Sequence, residues 1–295
     1  MAAGPTLSLH ELAARCVSSA AVAEKLALTA EVAARFDAGL AAPDRSGIPA
    51  TPLTTVPGRP EKPRLVLPRA LPRRALTTPD GRAALVHAVA HIEFNAINLA
   101  WDAVARFRGM PHEYYRDWVG VAVDEARHFS LLSARLAELG HAYGDFDAHD
   151  GLWDMAVRTA DSCLARMALV PRVLEARGLD VTPGMIVRLR AVGDEGTASI
   201  LEIILREEVA HVAAGSRWFA WCCAREGLDP RETFVDLVGR HLRGTLRGPF
   251  NTEARLRAGF SAAELAHLDR EAAADRATDA ADGERSRQPS GELAA

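Results

Sequence analysis

Apolar residues recur at helical spacing along most of the chain, and no segment alternates apolar and polar positions as a half-buried strand does. The first such segment covers residues 7–40, where Ser8 is placed to cap the start of a helix. Its apolar positions are Leu9, Leu12, Ala13, Cys16, Val17, Ala20, Ala23 and Ala27. The pattern therefore predicts an N-terminal helical extension within residues 1–42.

The next segment, residues 43–78, breaks the helical pattern because it is rich in proline. Nine of the sixteen prolines fall within residues 43–79. Proline lacks a backbone N–H, so this density excludes a helix interior or a central strand. The segment also carries Leu65, Val66 and Leu67, which make it too apolar for a free linker. We expect an extended strap that lies against the rest of the domain.

Four long helices are predicted within residues 79–227. The first has Thr78 as its N-cap and Pro79 in its first turn, and it stops before Pro111. The expected spans are about 79–107, 112–139, 152–177 and 182–226, the last with a break near Gly193. Short C-terminal helices are expected in 228–267 and a disordered tail in 268–295. The predicted fold is therefore all-α, a four-helix bundle with helical extensions at both ends.

Each of the four predicted bundle helices carries a glutamate in an apolar stripe, and two of them add a histidine three positions later. These residues are Glu93, Glu125, His128, Glu175, Glu208 and His211. One Glu from each of two helices and Glu-x-x-His from each of the other two form the ligand set of a di-metal centre in a bundle core. Acids in apolar stripes are costly unless they are paired or bound to metal.

The spacing of these residues suits metal binding. Positions i and i+3 share one helical face, so a glutamate and a histidine on one helix can reach the same ion. Carboxylate and imidazole ligands favour iron or manganese over the ions that prefer thiolates. We therefore expect two iron ions, with manganese as the alternative. For Glu175 a different interpretation stays open, because Arg172 or Arg177 could form an ion pair with it.

Glu-x-x-His occurs four times, so the motif alone is weak evidence. His141 follows the predicted helix stop at Gly140 and should not share a face with Glu138. Glu264 and His267 lie beside the polar tail, without a companion helix that carries a single glutamate. The other two motifs are in register, because 83 residues separate their glutamates and 83 separate their histidines. This repeat of one helical hairpin favours a single metal site formed by both motifs.

Two acids precede the motif glutamates directly, Asp124 and Glu207. In metal sites such residues often accept a hydrogen bond from a ligand histidine and so fix the orientation of its ring. Exposure to solvent is the alternative for both residues.

The charge of the chain is unevenly distributed, although the net charge is only −4. The strap has a local excess of basic residues, and a second excess lies between residues 240 and 257. All but two of the 35 basic residues are arginine. A genome rich in G and C explains this bias, and a surface that faces an anion or RNA is the alternative.

The four cysteines form no C-x-x-C motif, which excludes a zinc finger or a disulfide framework. No apolar run reaches the roughly 18 residues of a membrane-spanning helix, and the N-terminus lacks the apolar core of a signal peptide. We therefore expect a cytoplasmic protein that does not associate with a membrane.

At the residues described above the chain resembles the ferritin-like superfamily, and more narrowly a bacterial ferritin-like family of unknown function. The resemblance covers most of residues 7–267. It rests on segments 81–97, 124–129, 148–153, 167–180 and 246–251. It implies a ferritin-like bundle with di-iron ligation by the six residues. At the level of the superfamily, the chain is also similar to the non-haem di-iron hydroxylases that modify tRNA.

Three functions are compatible with these features: an O₂-dependent oxidase or monooxygenase, an iron-handling or ferroxidase protein, and a metal-stabilised structural module. We expect the first. Because the sequence has no flavin, Rossmann or iron–sulfur motif, such an enzyme would need an external electron donor. A small-molecule substrate is expected rather than tRNA.

Overall fold

Helices account for every regular element in the part of the chain that the computed structural model describes. That part comprises residues 7–44, 55–242 and 246–285, with side chains described up to residue 276. The α-helices are α1 Leu9–Ser18, α2 Val22–Asp37, α3 Pro79–Arg106, α4 His112–Glu138, α5 Gly151–Arg158, α6 Cys163–Leu169, α7 Ala176–Ala191, α8 Glu195–Glu226, α9 Pro230–His241, α10 Thr252–Arg257 and α11 Ala262–Arg285. A short 3₁₀-helix covers Pro68–Ala70, and a π-helix covers Val170–Glu175. The prediction of an all-α protein is confirmed.

Four long helical segments pack together and carry the candidate ligands: α3, α4, the continuous segment α6–π-helix–α7, and α8. The predicted start of α3 is confirmed, since the Thr78 hydroxyl accepts a hydrogen bond from the Gly81 N–H at 3.1 Å. The predicted end of α8 is also confirmed. Gly227 follows that helix with a φ of +67°, a left-handed conformation that glycine adopts without strain.

The third segment differs from its predicted span of 152–177. Residues 151–158 form the separate helix α5, and the helical chain from Cys163 continues without a stop through Gly178 and Pro183 to Ala191. Proline at 183 cannot donate to the carbonyl of Leu179, four residues earlier. The side-chain amide of Asn251 donates to that carbonyl instead, at 3.0 Å. A partner 72 residues away in the chain therefore keeps the helix intact.

The N-terminal extension is two helices rather than one. The chain turns after Ser18, and Lys25 of α2 reaches back to the end of α1. Its ammonium group donates to the carbonyls of Cys16 and Val17, at 2.6 and 3.1 Å, and to the Asn98 side chain at 2.6 Å. These bonds satisfy carbonyls that a helix end leaves without partners, and they fix both helices to α3.

The proline-rich strap lies against the helices, as expected for its apolar composition; residues 45–54 lie outside the described part. Its backbone forms two hydrogen bonds with Ala148: the Val66 N–H donates to the Ala148 carbonyl at 2.8 Å, and the Ala148 N–H donates to the Arg64 carbonyl at 3.0 Å. The indole N–H of Trp153 donates to the Thr55 carbonyl at 2.8 Å. Gly58 N donates to the Val17 carbonyl of α1 at 2.8 Å.

Gly58 provides a test of this docking, because a Cβ at that position would overlap the Ser18 carbonyl oxygen. We expect Gly58→Ala to lower the free energy of unfolding by about 1–3 kcal/mol, since a backbone contact cannot yield as a side chain can. Gly120→Ala is the matched control, because residue 120 is exposed on α4 and a Cβ there would meet open space. This substitution should stabilise the helix by about 1 kcal/mol. Equal denaturant midpoints for the two variants would contradict the docking.

The C-terminal region is more ordered than predicted, because α11 is a long helix that continues through residues expected to be a disordered tail. Ser261 and Glu264 cap its start reciprocally, with bonds of 2.8 and 3.2 Å. Leu268 and Ala272 are buried, and Asp275 accepts from the Leu246 N–H at 3.1 Å. Buried apolar side chains and a distant backbone donor thus stabilise a segment whose composition is polar. Residues 286–295 of the predicted tail lie outside the described part.

Among the described residues, α3 is the one helix long and apolar enough to span a membrane by length and composition. Its most apolar window is 72% buried inside the protein. Since α3 also carries the buried Glu93, we interpret it as a core helix of a soluble fold.

Candidate metal centre

Three helical segments bring glutamate and histidine side chains to one buried position between them. The segments contribute Glu93 from α3, Glu125 and His128 from α4, and Glu208 from α8. One oxygen or nitrogen atom of each of these residues lies within 4.8 Å of the others. None of the four is more than 8% exposed. The structure therefore places four of the six predicted ligands within reach of one ion.

The fifth predicted ligand, His211, lies directly against this group. Its Nδ1 is 3.0 Å from a Glu125 oxygen and 3.4 Å from a Glu208 oxygen. His128 Nδ1 lies 3.3 Å from Glu93 and 3.4 Å from Glu125. Both histidines thus face the carboxylates with the same ring nitrogen, and Glu125 lies between them.

The sixth predicted ligand, Glu175, is the last residue of the π-helix and lies outside the group of four. Its Oε2 is nevertheless buried. Burial, together with the negative charges of Glu208 and Glu125, raises the pKa of Glu175 to about 8. The alternative ion pairs do not form, because Arg172 pairs with Glu264 and Arg177 lies 3.6 Å from Asp180.

The π-helix accounts for the approach of Glu175 to the centre. Pro171 lacks the N–H of a regular helical turn, and the local widening rotates the following residues relative to an α-helix. Gly215 of α8 packs against the Pro171 ring, and any Cβ at position 215 would overlap that ring. The small residue therefore allows α8 to lie close to the π-helix.

The electrostatics of the cluster indicate a shortage of positive charge. Burial and the Glu125 charge raise the pKa of Glu93 well above its usual value, and burial also raises that of Glu208. Burial alone would lower the pKa of His128, but hydrogen bonds to Glu125 and Glu93 raise it to about 11. Protons thus compensate the buried carboxylates when no other cation does so. A metal ion can supply the same charge and displace those protons.

The outer nitrogens of both histidines meet the acids that precede the motif glutamates. His128 Nε2 lies 2.6 Å from Glu207, and His211 Nε2 lies 3.2 Å from Asp124. The pairing is reciprocal, because each acid contacts the histidine of the opposite helix. Arg127 at the surface joins both acids. Of the two sequence interpretations, the one in which these acids accept from the histidines is confirmed.

Three buried polar atoms around the cluster make no well-aligned hydrogen bond among the described residues: Glu175 Oε2, and also Glu125 Oε2 and His211 Nδ1, which lie close to His128 and Glu125 respectively. Leaving such atoms unpaired costs about 1–3 kcal/mol each. All three are oxygen or nitrogen lone-pair donors of the kind that iron and manganese accept. The residues present therefore fit a metal-binding role.

The two discounted Glu-x-x-His motifs lie outside the cluster. Glu138 is exposed and pairs with Arg135, and His141 lies beyond the end of α4 near Asp80. Glu264 is buried, which sequence analysis missed, and it pairs with Arg172 at 2.7 Å. The apolar residues that follow it in α11 were the available signal for this burial.

Comparison with known proteins shows the family. The model of a family described as "Protein of unknown function (DUF455)" matches residues 18–266. An uncharacterized protein of Haemophilus influenzae is 45% identical over 221 residues, which cover 72% of this chain and 77% of that protein. No solved structure matches the chain. The match over most of the chain, including all six candidate ligands, shows that this protein belongs to the family of unknown function DUF455.

Proposed function

We propose that this protein is a non-haem di-iron carboxylate enzyme with a ferritin-like bundle, and that it uses O₂ to oxidise or hydroxylate a small molecule. The observation that carries the proposal is the convergence of Glu93, Glu125, His128, Glu208 and His211 in one buried cluster. Glu175 would complete the ligand set from the third segment. The chemistry that a pair of ferrous ions supplies in such a site is the reduction of O₂.

The residues of the chain would have distinct tasks in this enzyme. Glu125 and Glu208, from the two Glu-x-x-His motifs, would be shared by the two ions. Glu93 and Glu175 would each bind one ion. His128 and His211 would bind through Nδ1, since their Nε2 atoms already contact Glu207 and Asp124. The apolar packing around the cluster excludes bulk water, which protects reactive species from side reactions.

The reaction with O₂ tests the function directly. Protein loaded anaerobically with ferrous iron is mixed with O₂ while O₂ uptake and the optical spectrum are followed. An oxidase or hydroxylase should react with O₂ again after each cycle in which the oxidised protein is reduced anaerobically with dithionite and freed of excess reductant, without building up mineralised iron. A single burst followed by iron accumulation in the protein would favour the ferroxidase alternative. No reaction with O₂ would leave a metal-stabilised structural module.

The contact between His128 and Glu207 leads to a prediction about metal affinity. Glu207→Gln removes the charged acceptor but keeps the side-chain volume, so the ring loses the partner that fixes its tautomer and orientation. We expect the affinity for ferrous iron to fall about 10–100-fold. Glu202→Gln is the matched control, because Glu202 lies on the same helix, away from the cluster, and pairs with the exposed Arg190. Equal affinities in a competitive chelator titration would refute the positioning role.

The choice of a small-molecule substrate also leads to a prediction. Two of the strap's basic residues are neutralised, since Arg59 and Arg64 pair with Asp150 and Asp147, both at 2.6 Å. Within the described part of the strap, this leaves Lys62, Arg69, Arg73 and Arg74 as the exposed basic residues without such a pair. We therefore expect labelled tRNA not to bind even at low salt. Micromolar binding that weakens steeply with salt and is lost when the three arginines become alanine would instead indicate an RNA substrate.

A further inference from the structure

A row of polar side chains leads from solvent to the carboxylate cluster between α4 and α8. On the outside lies Arg127, whose side chain is 44% exposed. The side chains of Asp124 and Glu207 follow, and they are 40% and 25% exposed. Behind these acids lie the buried candidate ligands His211 and His128. Exposure thus falls step by step, and the row marks a route by which an ion can reach the cluster.

Arg127 joins the two acids across this route. Its Nη2 donates to Asp124 of α4 at 3.2 Å and to Glu207 of α8. On their inner side the same acids contact the histidines, at 3.2 Å for His211 and 2.6 Å for His128. One guanidinium therefore ties α4 to α8 outside the histidines, and it occupies carboxylate oxygens that an incoming ion could bind.

The charges at this opening disfavour the passage of a cation. A guanidinium keeps its positive charge at every physiological pH. Arg206 of α8 adds a second positive charge on the surface, with its Nη2 3.8 Å from a Glu207 oxygen. A divalent ion that approaches the acids is repelled by both arginines, and it must displace the one that bridges them. Without the bridge, two carboxylates at the opening would attract the ion instead.

We propose that Arg127 is a gate that controls the entry of metal ions into the cluster. The inference rests on the metal centre proposed above, because a gate requires a site behind it. Arg127 is not a candidate ligand, so its role is to obstruct the route rather than to hold the ions. Since its guanidinium lies nearer to the opening than to the cluster, its charge raises the barrier to passage more than it weakens binding. Removal of the guanidinium should therefore speed both uptake and release, and it should change the affinity less than either rate.

This expectation differs from the one for Glu207→Gln. In that variant a ligand histidine loses the partner that orients it, so the affinity itself falls. In Arg127→Gln both acids keep their contacts with the histidines, so the binding site is preserved while the route to it opens. Rates and affinity together therefore separate a gate from a residue that supports a ligand.

Stopped-flow mixing with cobalt(II) tests the proposal. Full-length protein freed of metal is mixed with cobalt(II), whose visible absorption changes when carboxylate and imidazole replace water as its ligands. We expect Arg127→Gln to take up cobalt about tenfold faster than the natural chain at low salt, because the charge at an opening acts on the rate of association. The difference should shrink as added salt screens the guanidinium. Release of cobalt into excess chelator should also be faster in the variant.

Arg217→Gln is the matched control, because Arg217 of α8 also bridges to α4. It is exposed and pairs with Asp117 at 2.7 Å. It lies six residues beyond His211, which is about 9 Å along the helix axis and away from the route. We expect this variant to take up cobalt at the rate of the natural chain.

The outcomes distinguish the gate from the metal centre. Uptake by Arg127→Gln that is no faster than in the natural chain, while both proteins bind cobalt, would overturn the gate and leave the metal centre standing. Equal acceleration in Arg217→Gln would also overturn the gate, since general surface charge would then explain the effect. A natural chain that binds neither cobalt nor ferrous iron would refute the metal centre, and the gate with it.

Discussion

Replacing Glu125 or Glu208 with alanine is expected to remove most of the bound metal, with at least about a 100-fold loss of affinity. Glu125 lies between the two histidines, 3.0 Å from His211 and 3.4 Å from His128, so its loss removes the carboxylate that both histidines contact. Each variant also leaves fewer carboxylates to balance the charge of two cations. Metal content per chain after anaerobic purification, measured by plasma mass spectrometry, checks the expectation.

Glu138→Ala is the matched control for these variants. Glu138 is also the glutamate of a Glu-x-x-His motif on α4, but it is exposed and pairs with Arg135. We expect this variant to keep the metal content of the natural chain. Equal metal loss in the Glu125, Glu208 and Glu138 variants would contradict the assignment of the site. Glu264→Ala is less suitable as a control, because the buried Arg172 would lose its partner.

Replacing Arg172 with alanine is expected to lower the free energy of unfolding by about 3–5 kcal/mol. Arg172 is 2% exposed, and it pairs with Glu264 of α11 at 2.7 Å. Its guanidinium also lies over the rings of Phe219, Phe234 and Phe260, with distances of 4.8, 4.4 and 4.5 Å to the centroids. Its loss would leave the buried Glu264 carboxylate with its Ser261 hydrogen bonds but without the positive charge that balances it, and it would open a cavity among the three rings.

Two further variants test this explanation of the Arg172 effect. Arg190→Ala removes an exposed pair with Glu195 and Glu202 on the neighbouring helix, and it should cost about 0–1 kcal/mol. The double variant Arg172→Leu with Glu264→Leu removes both buried charges, so it should recover much of the lost stability. Denaturant unfolding measures all three. If the double variant is no more stable than Arg172→Ala, the unpaired carboxylate is not the main cost.

Most of the candidate cluster could be predicted from sequence because its geometry is largely local. Glu-x-x-His fixes two side chains on one helical face, and the near-equal spacing of Glu125 and Glu208 from their companions indicates a repeated hairpin. The structure brings five of the six residues together on that basis. The start of α3 at Thr78 can also be predicted from sequence, because an N-cap residue bonds to backbone groups only a few positions away.

The features that sequence reasoning missed depend on partners that are distant in the chain. The sequence predicts that a helix starts at residue 182, just before Pro183, but Asn251 bonds the Leu179 carbonyl that proline leaves free, and the helix passes through Pro183. The polar composition of α11 suggested disorder, whereas Leu268, Ala272 and the pair between Glu264 and Arg172 fasten it to the domain. Tertiary contacts override local propensity at these positions, and a single sequence does not display them.

The central claim, a di-metal centre in the bundle core, is tested most directly by metal analysis of the natural chain. Protein purified without oxygen from cells supplied with iron is analysed for all first-row transition metals against protein concentration. The account predicts about two iron ions per chain, retained through gel filtration and removed by a strong ferrous chelator. Protein that is fully folded, as judged by its helical content and a cooperative thermal transition, but that binds no iron or manganese even after anaerobic addition of ferrous iron would contradict the di-metal centre.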